Sequence, residues 1–207
     1  MTSATQQHGD TMNERTFSVA DAHKLEDPER LTWLPPNEVI VSLELKPGMA
    51  VVDIGAGTGY LTLPIARVVG ELGKVYALDF QTGMLDLLGK KLLEPNAPAN
   101  ISLVHATATH TTLPAFCGDF VFMANVWHEL DDHVLALKET TRILRRGGRM
   151  AILDWRTNVV QPPGPPLAHR IPVNTVVETL KSNGWITERS GNVGRYGYMV
   201  MAKRGQQ

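Results

Sequence analysis

The chain has 207 residues, 43% hydrophobic and 20% charged, and its 20 basic and 21 acidic side chains leave a formal net charge of −1. That length suits one domain with a sizeable core, and the balanced charge offers no global field to nucleic acid or an anionic membrane. One cysteine, Cys117, excludes a disulfide framework and a multi-cysteine metal site, and no apolar run is long enough to span a bilayer.

Residues 1–16 are rich in Thr, Ser, Gln and Asn and have no apolar signal-peptide core, so they read as a disordered tail on a cytoplasmic protein. A single domain then runs over 17–207, with 17–48 as a helical lid. Asp27-Pro28-Glu29 carries a helix-start signature of N-cap, Pro at N1 and an acid in the first turn. This short helix ends near Pro35-Pro36, where a second begins on Val39, Ile40, Leu43 and Leu45 and stops at Pro47-Gly48. Ala50–Ile54 reads as a strand buried on both faces. Alternating elements follow: helix Thr58–Val69, strand Lys74–Asp79, helix Thr82–Leu93, strand Ile101–His105 and strand Asp119–Ala124. Asp131-Asp132 caps a helix that reaches Leu144, and Arg145-Arg146-Gly147-Gly148 places cations and glycines at its end. Strand Met150–Trp155 precedes the stiff, extended loop Gln161–Pro166. After helix Pro172–Ser182, the strands Trp185–Arg189 and Tyr196–Lys203 are close enough in sequence to pair antiparallel. The alternation implies an α/β fold with a doubly wound, mainly parallel sheet.

The first strand runs into Asp53-Ile-Gly55-Ala-Gly57-Thr58-Gly59-Tyr60. Glycines at alternate positions permit positive φ and close ligand approach, and the helix that follows presents free N–H groups. The dinucleotide fingerprint needs a third glycine where Tyr60 stands, and the Gly-Lys-Ser/Thr of a phosphate loop is absent. Asp79 ends the second strand about 20 residues on, the usual spacing for an acid that binds a ribose diol. These features point to a nucleoside without phosphates.

With Asp79, this loop resembles motifs I and II of the class I S-adenosylmethionine (AdoMet)-dependent methyltransferases. The resemblance covers roughly 17–203 and is nearest to small bacterial enzymes grouped with the ubiquinone/menaquinone-biosynthesis C-methyltransferases. It also rests on His23-Lys24-Leu25-x-x-Pro28-x-Arg30, Asn125-x-x-His128-Glu129-Leu130, Asp154-Trp155 and Gly164-Pro165-Pro166. It implies a Rossmann-like seven-stranded sheet of order 3-2-1-4-5-7-6, strand 7 antiparallel, with AdoMet as cofactor. Asp53, Gly55, Gly57, Thr58 and Gly59 would cradle AdoMet. Asp79 would hold the ribose or merely cap the next helix, and Phe80 and Met84 would flank the adenine, unless Met84 is core. Many relatives have an acid after the third strand where this chain has Thr107, which shifts adenine recognition toward the main-chain N–H of Ala108. Asn125 would meet the methionyl end or tie down its own loop.

Ligands in such sheets bind beyond the carboxyl ends of the strands, at the switch in strand order. His128 is the candidate general base, because histidine titrates near neutral pH, with Glu129 as an orienting or alternative carboxylate. The other reading has His128 capping a helix or packing under Trp127. His23, Trp127, Trp155 and Arg156 are candidates for the acceptor pocket, the tryptophans being core residues otherwise. His105 and His110, like His128 and His133, lack metal-ligand spacing, so no metal is expected. The partner is a small-molecule acceptor, a quinone among the possibilities, and neither nucleic acid nor a membrane. The chain is expected as a monomer or homodimer. An AdoMet-binding sensor without transferase activity is the alternative.

Overall fold

The computed structural model describes residues 15–159 and 163–205. The expected disordered tail lies outside the described residues except for Arg15 and Thr16, as do Gln161 and Pro162 of the proline loop. A 3-10 segment, Val19–Glu26, leads into α1 (Arg30–Trp33) and α2 (Pro36–Leu43). The alternating part comprises β1 (Ala50–Ile54), α3 (Thr62–Val69), β2 (Lys74–Asp79), α4 (Thr82–Lys91), β3 (Ile101–His105), β4 (Gly118–Ala124), α5 (His133–Ile143) and β5 (Leu144–Trp155). The chain closes with α6 (Val173–Ser182), β6 (Trp185–Val193) and β7 (Gly197–Arg204).

The sheet has seven strands in the order β3-β2-β1-β4-β5-β7-β6. β1 pairs parallel with β2 and β4, β2 with β3 and β4 with β5, while β7 runs antiparallel to both β5 and β6. Successive residues of a strand point to opposite faces. Val51, Val75, Phe120, Phe122 and Ala151 therefore meet Val39, Leu43, Ile65 and Val69 of α2 and α3 on one side. Val52, Ile54, Val121, Met123 and Ile152 meet Leu137 and Ile143 of α5 and Val176 and Leu180 of α6 on the other. No helix among the described residues is long and apolar enough to cross a membrane.

Three of the boundaries that differ from expectation have a visible cause. α3 begins at Thr62 and not Thr58, because Gly55, Gly57 and Gly59 all take positive φ and carry the chain through a turn first. β5 begins six residues early, at Leu144, with a register shift against β4. Arg145 pairs with Asp119 on β4 at 2.7 Å, which draws the segment alongside that strand where a helix end was expected. The first helix starts at Arg30, since Asp27 spends its carboxylate on the N–H of Glu29 in a turn.

Candidate active site

The carboxyl ends of β1 to β5 form one rim, and the strand order reverses between β1 and β4. The turn after β1 is fastened to β2, where Gly55 and Ala56 donate N–H groups to Leu78 O at 2.7 and 2.9 Å. Gly57 N–H reaches Asp79 Oδ2 at 2.9 Å, and Gln81 N–H reaches Asp79 Oδ1 at 2.9 Å. The Asp79 carboxylate thus lies against the glycine turn while making an Asx turn of its own.

The glycines have different reasons. A Cβ on Gly55 would collide with Val126, and one on Gly59 with Leu88. Gly57 (φ +53°) faces only Leu25 Cδ1, 3.5 Å from the position of its missing Cβ. Gly57 is therefore the roomiest of the three, with only Leu25 over it, and the other two serve packing.

Asp53 is buried under this turn and accepts from Thr62 Oγ1 at 2.6 Å, anchoring the start of α3. Burial, with a contribution from the nearby Asp79 charge, pushes its pKa up to about 6 despite the Thr62 hydrogen bond. Burial also raises Asp79, against hydrogen bonds from three backbone N–H groups. Thr58 is buried and donates its hydroxyl to Glu26, which also accepts from Lys91 Nζ at 2.6 Å. Met84 is buried in α4 and Phe80 is half-buried at the end of β2, where its carbonyl meets His105 Nε2 at 2.9 Å. Thr107 Oγ1 lies 3.2 Å from Thr109 Oγ1, beside the buried Ala108. Asn125 takes φ +58° and donates its N–H to Leu153 O at 2.8 Å, tying its loop to β5.

After β4 the short 3-10 turn Trp127–Glu129 carries the candidate base. His128 is 3% exposed, and both its ring and its main chain are held by Asp154, which is 1% exposed at the end of β5. Nδ1 lies 2.8 Å from Asp154 Oδ1, and His128 N–H donates to Oδ2 at 2.9 Å. A carboxylate only accepts, so Nδ1 is the donor in this contact and Nε2 is the ring nitrogen turned away from Asp154. Nε2 stands 3.9 Å from Glu129 Oε1. Burial raises Glu129 to about 7, although His128 and the N–H of Phe17 pull it down. The sequence reading missed Asp154 as a partner of His128, 26 residues away. Its place at a strand end on the rim and its part in the Asp154-Trp155 motif of the resemblance were the available signals.

The acceptor-side candidates divide. Trp127 is core, with His133 stacked on it at 4.4 Å. Trp155 stacks on Trp33 at 5.3 Å, and Tyr196 lies 6.3 Å from Trp33, forming an aromatic wall. Arg156 binds Asn158 Oδ1 and Arg195 O at the surface, and His23 is exposed on the 3-10 segment. Arg170 donates to the carbonyls of Pro163, Pro165 and Arg156, with its guanidinium 5.3 Å over the Trp155 ring, and so fastens the proline loop. Among the described residues no cluster of three or more His, Cys, Asp or Glu could hold a metal.

Asp79 accepts from the glycine turn, and the Glu26–Lys91 pair meets Thr58 within it, so charges of both signs lie against the turn.

Residues 52–152 match a family model described as a methyltransferase domain. A SAM-dependent methyltransferase structure from Aquifex aeolicus is 32% identical at a TM-score of 0.85, over 90% of this chain and 98% of that one. The ubiquinone/menaquinone biosynthesis C-methyltransferase UbiE of Vibrio cholerae is 31% identical over 117 residues, 56% of this chain and 45% of that protein. Demethylmenaquinone methyltransferase of Bacillus mycoides is 32% identical over 117 residues, 56% of this chain and 49% of that protein. The chain thus spans about half the length of the curated relatives it matches.

Proposed function

The chain belongs to the class I SAM-dependent methyltransferases, and on that premise we propose that it methylates a small-molecule acceptor whose proton is taken at His128. The observation that carries this reading is the buried Asp154–His128–Glu129 array at the end of β4, beside the glycine turn. AdoMet, when bound, supplies a methyl already activated on a sulfonium. Asp79 and the Gly57 main chain would hold its ribose side, and Asn125 would hold its methionyl end. The protein must then align a nucleophile and accept one proton.

Asp154 orients the His128 ring and leaves Nε2 as the accepting atom. The 3.9 Å gap to Glu129 excludes a direct hydrogen bond but lets one acceptor hydroxyl touch both groups. Trp33, Trp155 and Tyr196 form an aromatic cluster that begins one residue past Asp154. With the quinone-pathway names of the relatives, this makes a hydroxylated aromatic ring the first acceptor to try. Residues 17–48 act as a lid, the chain works in the cytoplasm as a monomer or homodimer, and its balanced charge favours small-molecule acceptors over nucleic acid.

The test is turnover of AdoMet to S-adenosylhomocysteine against a panel of hydroquinones and naphthols. His128→Ala and Asp154→Asn are each expected to lower kcat by about 10²–10⁴-fold with AdoMet affinity unchanged. Wild-type rates in both variants at saturating acceptor would leave a site that works by alignment alone.

A further inference from the structure

Phe17 is held by its main chain on both sides. Its N–H donates to Glu129 Oε1 at 3.1 Å, and its carbonyl accepts from Gln81 Nε2 at 2.8 Å. Gln81 is the N-cap of α4, two residues past Asp79, and its own N–H is on Asp79. One residue of the amino-terminal segment therefore spans from the ribose-side strand end to the acid beside His128.

The rest of the segment is pinned along the same rim. Val19 lies 2.9 Å from where a Cβ on Gly83 would stand, and Leu25 covers Gly57. Glu26 ties the segment to Thr58 and Lys91. Arg15 pairs with Asp131 at 2.8 Å just beyond Glu129. The segment and the groups that hold it are far apart in sequence. The Gln81–Phe17 and Phe17–Glu129 bonds join residues 64 and 112 positions apart.

We propose that Gln81 and the main-chain N–H of Phe17 are positioning groups for Glu129: docking of residues 17–26 on the cofactor turn sets this carboxyl beside His128, and the proton-handling site is complete only with the segment down. The inference rests on the reading of His128 and Glu129 as the proton-handling pair. A main-chain N–H is a donor that no side-chain rotation removes, and the Gln81 clip keeps it in place. The docked segment also shuts water out, and burial is the main reason why Glu129 stays protonatable near neutral pH. Among the described residues, His128 from its own turn, Asp154 from β5 and Asp79 from β2 act on its charge.

The experiment follows the Glu129 carboxyl and the Phe17 amide by NMR in the full chain across the neutral pH range, without any ligand. In the wild type both titrate together with a midpoint near 7, and Glu129→Gln removes the movement of the Phe17 amide. Gln81→Leu frees the segment and admits water, so the midpoint falls toward the ordinary carboxylate range. Phe17→Pro deletes the donor N–H, along with the phenyl ring, while Gln81 can still reach the carbonyl, so the midpoint rises. An unmoved midpoint in either variant, or a change in Gln81→Leu confined to AdoMet affinity, overturns the inference. If the midpoints shift as expected while His128→Ala turns over normally, the positional link stands and the proton-transfer reading fails. If the midpoints stay put while His128→Ala is inactive, only the link is lost.

Discussion

Asp53 is a carboxylate kept where water cannot reach it. Its folded pKa, about 6, lies above the unfolded reference of 3.8. Its protonated form is therefore the one that folding favours, and the fold loses stability as pH rises from about 4 to about 6. The span of roughly two pKa units corresponds to an upper figure of about 3 kcal/mol. Asp53→Asn keeps an acceptor for Thr62 Oγ1 but cannot titrate, so its urea-unfolding free energy is expected to lose this part of the pH slope. An unchanged slope would place the titration elsewhere. At this scale the sequence was legible where chemistry follows from one position, as with the strand-end acid Asp79. It was not legible where two distant residues act together: nothing near His128 announces Asp154, and nothing near Phe17 announces Gln81. Such pairs exist only once β4, β5 and the amino-terminal segment share a rim.

The glycine turn was legible as a sharp positive-φ turn after β1, yet the reasons for its individual glycines were not, because Val126 and Leu88 fill space that only the fold assigns. Element types and order came through well, since buried strands and amphipathic helices write different periods. The start of α3 and the length of β5 did not, because positive φ and the Arg145–Asp119 pair override local propensity. The two kinds of glycine can be separated by experiment. Gly48 has positive φ with nothing within 4 Å of a Cβ, whereas Gly55 has positive φ and Val126 in the way. Gly48→Ala is expected to cost only left-handed strain, about 1–2 kcal/mol. Gly55→Ala adds overpacking of about 1–3 kcal/mol. Equal urea midpoints for the two variants would contradict this account of the turn.

Across the whole molecule, balanced net charge conceals a local imbalance. Asp53, Asp79 and Glu129 all have raised pKa values, chiefly by burial, and Asp79 acts electrostatically on both of the others. A cationic cofactor stabilises their charged forms, so its binding must drive protons off. AdoMet affinity is then expected to fall as pH drops through about 7 and then about 6, since each protonated acid must first ionise. Calorimetry in buffers of different ionisation enthalpy should register proton release near pH 6.5 and little at high pH. A buffer-independent enthalpy at both would mean that the acids do not sense the ligand.

The two sides of the cleft are built differently. Arg170 clamps the proline loop through three backbone carbonyls, whereas the opposite side is the amino-terminal strap that also covers Gly57. On the proposed reading of residues 17–48 as a lid, a fixed jamb and a moving panel would give both ligands a common doorway. A doorway used twice per cycle imposes a queue: a cofactor held at the glycine turn would enter first and its spent form depart last. Product-inhibition kinetics should therefore read as compulsory-order, with S-adenosylhomocysteine competing against AdoMet but not against the acceptor.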